Sequence, residues 1–375
     1  MWNINTAYAE ARQAASSSSE QIRKMADFRL EIYKEKMPDQ SRAEIERLLT
    51  ASNHRRLNAV PDLTRYPELR GMRELIEAEW RGVRDGAALT DEQWALHCDG
   101  GFYGHRYIAA GRKPPPAQCS YVYFPRSDRG PLLANNLDAS PKEPFRQPDW
   151  PVLNEHLIMV GVSSGVWCDE ESPEIFPAPV TKLVKRYCRN TTEAVEMLER
   201  YNFFWGPGNM MVVDRTHDVA MIEKSACRIG VRRSQDGFGF ITAMTAEEPG
   251  MRAFLADRRA YSIQARGLSS PCADTRYWDA QDNRHVIMTR LLAEARREPT
   301  VEKLRQIMQY RGPDGVVCDN GDVLFPGDPP IEHTIKTTIW LLGEGCAQWW
   351  AMEGETPSFK NRKEDVQYDN IHPWH

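Results

Sequence analysis

Three consecutive prolines, Pro114-Pro115-Pro116, constrain this chain more than any other feature. Proline fixes φ and has no N–H, so such a run neither continues a helix nor joins a sheet ladder. From Gly111 to Gln118 the sequence therefore reads as an extended loop, and its character changes across that loop. Before it the patterns are helical. Ala7 to Arg23 is rich in Ala, Gln, Glu and Ser, and Met25 to Lys36 carries apolar residues at helical spacing. Ser41-Arg42-Ala43-Glu44 has the form of a capping box. Gly71 to Asp85 and Thr90 to Cys98 continue the theme, with Thr90 as an N-cap.

After the loop, aromatic and β-branched residues predict strands at Cys119 to Phe124 and Pro131 to Asp138. Further strands are expected at His156 to Trp167, Asn209 to Asp214, Val219 to Glu223, Arg228 to Arg233 and Phe238 to Ala243. Helices are expected at Val180 to Arg189, Thr192 to Tyr201, His285 to Arg297 and Val301 to Arg311, and Thr334 to Met352 is apolar and β-rich. Blocks of strands flanked by helices predict an α+β fold of layered sheets and helices.

With 375 residues, 41% of them hydrophobic, the chain is long enough for a large core. Its net charge of -5 and pI near 6.0 provide no basic field, so nucleic acid is not an expected partner. No apolar run approaches the roughly 20 residues of a membrane span. The N-terminus lacks the basic and apolar regions of a signal peptide. Eight cysteines stand singly with no CxxC, which argues against a zinc ribbon or a dense disulfide framework; a reduced, cytoplasmic chain is the expectation. His97-Cys98-Asp99 and His105 complete no metal site, and no GxxxxGK[ST] or GxGxxG occurs. Neither a metal nor a cofactor is expected.

Cys119 has a specific chemical possibility. If the Gln118–Cys119 bond were cut, one residue would carry both a thiol and a free α-amine. An α-amine titrates at about 7.7 to 8.0, so it can take the thiol proton and return it. One residue then supplies nucleophile and base. The alternative is a small buried hydrophobe.

The residues that follow sharpen this. Cys119-Ser120, a hydrophobic strand, a turn containing Gly130, and Leu133-Ala134-Asn135-Asn136-Leu137-Asp138 together resemble the opening of the mature chain in one known family. That is the choloylglycine hydrolase and penicillin V acylase family, with its isopenicillin N acyltransferase branch. The family's Arg and Asp lie 16 and 19 residues after its Cys, where this chain has Asn135 and Asp138. The resemblance implies that Asp138 orients the amine and thiol of Cys119, while uncharged Asn135 stands where a guanidinium is usual. Gly161 to Val166 resembles a second family segment, with Ser163 in place of Asn. Asn209 to Asp214 followed by Ala220 to Glu223 is similar to a hairpin of the acyltransferase branch, and Asn190 to Val195 to the helix start before it. Ala243 occupies the place of an oxyanion-stabilising Asn, leaving backbone amides, Ser163, Thr242 or Thr245 as donors. Arg276 and Arg284 lie where the family has an Arg; the expectation is that one binds an anionic substrate group, or that both make only surface pairs.

The resemblance implies a four-layer αββα sandwich of the N-terminal nucleophile type over 119–375, with 1–118 as a helical pro-segment. It also implies an autoprocessing cysteine amidohydrolase or acyltransferase acting on a small-molecule amide or acyl donor, compatible with an oligomer. Two alternatives stay open. One is an unprocessed relative that binds or modifies a ligand without a free amine, or a non-catalytic binding or scaffold protein. The other is a Cys-His hydrolase using His105, His156 or His217.

Overall fold

The structure is a computed structural model that describes residues 3–24, 26–27, 70–91, 93–94, 119–139, 152–163, 178–201, 208–225, 228–242, 245–265, 275–318, 333–351 and 366–367. The expected helices at 25–36 and 41–49, the proline loop, Gln118, His97-Cys98-Asp99, His105 and Ala243 fall outside these residues, apart from Ala26 and Asp27, which are helical. The chain divides into two compact units. The first comprises Met1–Arg106, Lys142–Arg146 and Glu171–Pro179; the second comprises Tyr107–Pro141, Gln147–Glu170 and Val180–His375.

In the first unit, α1 (Ile4–Ser17) packs on α2 (Met72–Ala87). Asn3 caps α1 by accepting from the Thr6 amide. Gly82 and Gly86 lie one turn apart on α2 and let the two helices approach, since a Cβ at Gly82 would stand 2.5 Å from the Tyr8 carbonyl oxygen. Tyr8 donates to Asp85 at 2.8 Å, and Ser16 to the Gly86 carbonyl at 3.2 Å, across the same seam. Gly86→Val is expected to push the helices apart and cost about 1–3 kcal/mol, measurable as a lower Tm. Thr90 caps the following turn as the sequence predicts. Its reciprocal partner is Gln93, which exchanges hydrogen bonds with it at 3.2 Å in both directions.

The second unit holds two antiparallel sheets. The first is formed by β1 (Ser120–Phe124), β2 (Leu132–Ala139), β8 (Gly239–Thr242), β11 (His333–Leu341), β12 (Cys346–Ala351) and β13 (Val366–Gln367), in the order β13-β12-β11-β2-β1-β8. The second runs β3 (Val152–Leu153), β4 (Leu157–Ser163), β5 (Gly208–Asp214), β6 (Val219–Lys224), β7 (Ile229–Ser234). A two-stranded ribbon pairs β9 (Arg311–Gly312) with β10 (Gly315–Val316).

The faces of β1 show how the layers meet. Tyr121 and Tyr123 join Leu133, Trp340, Ile158, Val160, Met211 and Met221 in a core shared by both sheets. Val122 and Phe124 turn the other way, onto Ile287, Met288, Leu304 and Met308. Those residues belong to α6 (Thr275–Ala295) and α7 (Val301–Met308). Covered on both faces, β1 is mostly apolar and aromatic, and every one of its residues is buried. On the second sheet, α4 (Thr191–Arg200) follows α3 (Ala178–Tyr187) and lies against β5 and β6. Asn190 caps α4 through the Glu193 amide, while the Glu193 carboxylate accepts from the Arg189 amide at 2.7 Å. Asp214 fastens the helix start by accepting from the Thr191 amide at 3.0 Å. Burial opposes its ionisation, yet bonds from Thr216, Thr191 and Asp218 hold its carboxyl below the usual range.

Several elements differ from the sequence reading: α6 begins at Thr275 rather than His285, and the short strands β3, β10 and β13 were not expected. α5 (Pro249–Ala265) is a helix that periodicity did not reveal. Arg311, expected to end a helix, instead begins β9, because Gly312-Pro313-Asp314-Gly315 turns the chain.

Candidate active site

Cys119 immediately precedes β1 and is partly buried, packed against the edge of the core between the sheets. Its thiol donates to the backbone carbonyl of Asp138 at 3.8 Å. Antiparallel pairing of β1 with β2 brings the two together: Ser120 is opposite Asn136, so the register continues with Cys119 opposite Leu137, beside Asp138.

The Asp138 side chain has no exposure and points to the helix-covered face. Arg284 of α6 donates to one carboxylate oxygen at 2.9 Å, and Thr334 of β11 to the other at 2.5 Å. The Thr334 contact depends on a bulge. β11 pairs Lys336 with Leu137 but Thr334 with Asp138, so Ile335 is the extra residue. Without it Thr334 would face the second sheet; the bulge turns its hydroxyl onto Asp138. Arg284 is 3% exposed, so the expected anion-binding or surface arginine is a buried partner of Asp138. Arg276 lies on the first turn of the same helix.

The two asparagines of the Asn135-Asn136-Leu137-Asp138 segment act as clamps. Asn135 is 2% exposed and donates to the carbonyls of Ser120 and Asn136 at 3.2 and 3.1 Å, tying β2 to the first residue of β1. Asn136 donates to the carbonyls of Met308 and Val317 at 2.7 and 3.2 Å and accepts from Thr337 at 2.8 Å. Ser163 ends β4 opposite Gly208. Asn209, beside it on β5, reaches across to the end of β8, where its amide donates to the carbonyls of Thr242 and Thr245 at 2.7 and 2.8 Å.

Sequence reasoning missed the cluster around His285. The Thr242 and Thr245 hydroxyls lie 2.7 Å apart, each 3.2 Å from His285 Nδ1. Nε2 meets the Glu247 carboxylate, whose other oxygen pairs with Arg232 at 2.5 Å. Glu223 completes the cluster. It accepts from Arg232 at 2.7 Å and from the amides of Glu247 and Glu248. An ionised carboxylate only accepts, so Nε2 carries a hydrogen and Nδ1 is left for the hydroxyls. The advance signals were Thr242 and Thr245, whose partner His285 lies 43 and 40 residues away.

The hydrogen bond to His285 holds the Glu247 carboxyl at about 2 against the opposing effect of burial, with Arg232 and Arg252 adding to the depression. A carboxyl depressed in the fold contributes stability that is present above its ordinary value near 4.3 and lost as pH falls through about 2. Allowing for its 31% exposure, the contribution is on the order of 2 kcal/mol. Urea midpoints are expected to fall between about pH 5 and 2, with a shallower slope in Glu247→Gln. An equal slope in that variant would show that other carboxyls carry the effect.

Two of the proposed histidine partners of Cys119 are engaged elsewhere, and His105 lies outside the described residues. His217 pairs with Tyr123 at 2.9 Å, and His156 with Glu155 at 3.1 Å. Among the described residues no three metal-ligating side chains gather, and no helix is long and apolar enough to cross a membrane.

No family model and no curated protein matches the chain. Among solved structures, the chain is similar to penicillin V acylase from Agrobacterium tumefaciens, with a TM-score of 0.36 and 13% identity over 62% of this chain and 82% of that one. Two variants of conjugated bile acid hydrolase from Clostridium perfringens align with TM-scores of 0.34 and 0.33 and identities of 11% and 12%. Each alignment covers 68% of this chain, and 90% and 86% of the respective hydrolase. Similarity of this size leaves the chemistry to be judged from the residues themselves.

Proposed function

We propose that the chain is a thiol amidohydrolase or acyltransferase in which Cys119 attacks a small-molecule amide and carries the acyl group as a thioester. In this reading the packed sheets and helices form an αββα sandwich, residues 1–118 are a pro-segment, and cleavage after Gln118 frees the α-amine of Cys119. The observation that carries the proposal is the construction around Asp138. A buried carboxylate is costly, and here two side chains from distant elements hold it in place while its own carbonyl receives the Cys119 thiol. Such a carboxylate can orient and stabilise an α-ammonium during proton transfer.

The reaction then runs in two stages. The thiolate adds to the amide carbon, the C–N bond breaks, and the departing amine takes up the thiol proton. Water or an acceptor amine then resolves the thioester. Hydrolysis and acyl transfer share every step until that point, and exclusion of water decides between them. A cytoplasmic location and a small-molecule substrate belong to the same proposal.

Intact mass of the purified protein tests the processing. Two fragments of about 118 and 257 residues are expected from the wild type, and one full-length chain from Cys119→Ala. A full-length wild type that still hydrolyses amides would remove the free-amine step while keeping the nucleophile. A full-length wild type that also ignores a thiol-directed probe at Cys119 would end the enzyme reading.

A further inference from the structure

Cleavage at Cys119 raises a chemical problem that the α-amine does not solve. Before the bond is cut, the nitrogen of Cys119 belongs to a peptide group and is not basic, so the first thiol proton needs another acceptor. This inference rests on the reading of Cys119 as a nucleophile. We infer that Lys336 is the proton partner of the Cys119 thiol in the intact chain.

The register of the first sheet supports the pairing. Lys336 lies opposite Leu137, and the β1–β2 register places Cys119 opposite Leu137 on the other side. The three residues therefore occupy one row across three adjacent strands, with about 10 Å between the outer two backbones. They also share a face. Thr337 bonds to Asn136 on the helix-covered side, so Lys336 turns toward the second sheet, where Cys119 packs. A flexible four-carbon stem spans most of that gap.

The surroundings suit a proton exchange. Lys336 is 1% exposed, and burial lowers its ammonium to about 8, within reach of an ordinary thiol. Two buried polar atoms of the same inter-sheet layer, Thr338 Oγ1 and Asn209 Oδ1, have no hydrogen-bond partner among the described residues. Thr338 is two residues along β11 from Lys336, and Asn209 reaches the end of β8, beside β1. The other ionisable groups facing this layer have different tasks. Burial raises the Tyr121 and Tyr123 phenols, which keep their protons, Tyr123 also meets His217, and Glu223 is engaged by Arg232 and two backbone amides. Asp138 and Arg284 hold each other on the opposite face.

The exchange balances. The S–H bond breaks and an N–H bond forms at Nζ, giving thiolate and ammonium with no change of net charge. When the thiolate forms its bond to the Gln118 carbonyl carbon and the C–N bond breaks, the released α-amine takes that proton from Nζ.

Iodoacetamide alkylation of the full-length species, separated from any cleaved protein, from about pH 5.5 to 10 and mapped to the Cys119 peptide by mass, tests the pairing. Lys336→Met is expected to slow alkylation at pH 7 by about tenfold or more and move the profile up by at least about one pH unit. Lys336→Arg keeps a charge that stabilises the thiolate but cannot take up a proton, so alkylation is expected to stay within a few-fold of wild type while cleavage after Gln118 is lost. Any other pattern in folded variants overturns the inference. Should neither variant fold, the wild-type profile decides: two coupled steps support the pair, and a single step near about 8.5 overturns it. The outcomes separate from the hydrolase reading, because an unchanged Lys336→Met profile removes only the partner. Amide hydrolysis surviving in Cys119→Ala would instead remove the nucleophile.

Discussion

Cys119→Ala is expected to lower turnover of any amide that the wild type cleaves by about 10⁴-fold or more. A thioester cannot form without the sulfur, and what remains is only binding and polarisation of the carbonyl. The fold is expected to tolerate the change. Cys119 is partly buried against the inter-sheet core, so the loss of one sulfur should cost under about 1.5 kcal/mol. Single-turnover rates alongside urea denaturation check both halves. Activity within tenfold of wild type would place the chemistry on another residue, whatever the stability.

Arg284→Met is expected to destabilise the second unit by about 3–5 kcal/mol, because it removes the cation that holds the buried Asp138 carboxylate. Removing one member of a buried pair costs far more than removing both. The double variant Asp138→Leu with Arg284→Met is therefore expected to recover most of the stability. Activity should not follow, since Asp138 is the residue that orients Cys119 in the proposed mechanism. Urea midpoints and amide turnover on the three proteins separate the two roles. A single variant within about 1 kcal/mol of wild type would mean that the pair is not what holds the carboxylate in the fold. A double variant that regains activity would show Asp138 to be structural only.

Much of the second unit was legible in advance. The runs at 120–124, 209–214 and 219–224 are dense in β-branched, aromatic and apolar residues, and each is a strand close to its expected limits. The α5 helix was not legible. Pro249-Gly250 at its start and a mixed run of Arg, Ala and aromatic residues give no clear apolar stripe, and its burial comes from Met251, Phe254 and Leu255 capping the inter-sheet core. The site divides in the same way. Cys119 and Asp138 are 19 residues apart and meet through one hairpin, so spacing along the chain sufficed to connect them.

Arg284 meets Asp138 across 146 residues, and nothing local distinguishes it from Arg276. Asn135 occupies a position where the resemblance implied chemistry, and its amide instead ties backbone carbonyls together.

By itself the sequence determined the alternating faces of the strands, the helix starts, and the step from Cys119 to Asp138, because each depends on residues near in the chain. The tertiary structure decided which arginine holds Asp138, how the bulge at Ile335 turns Thr334, and which row of the sheet Lys336 shares with Cys119. Those depend on strand register and helix packing, which are set by the burial of whole faces. No local pattern carries that information.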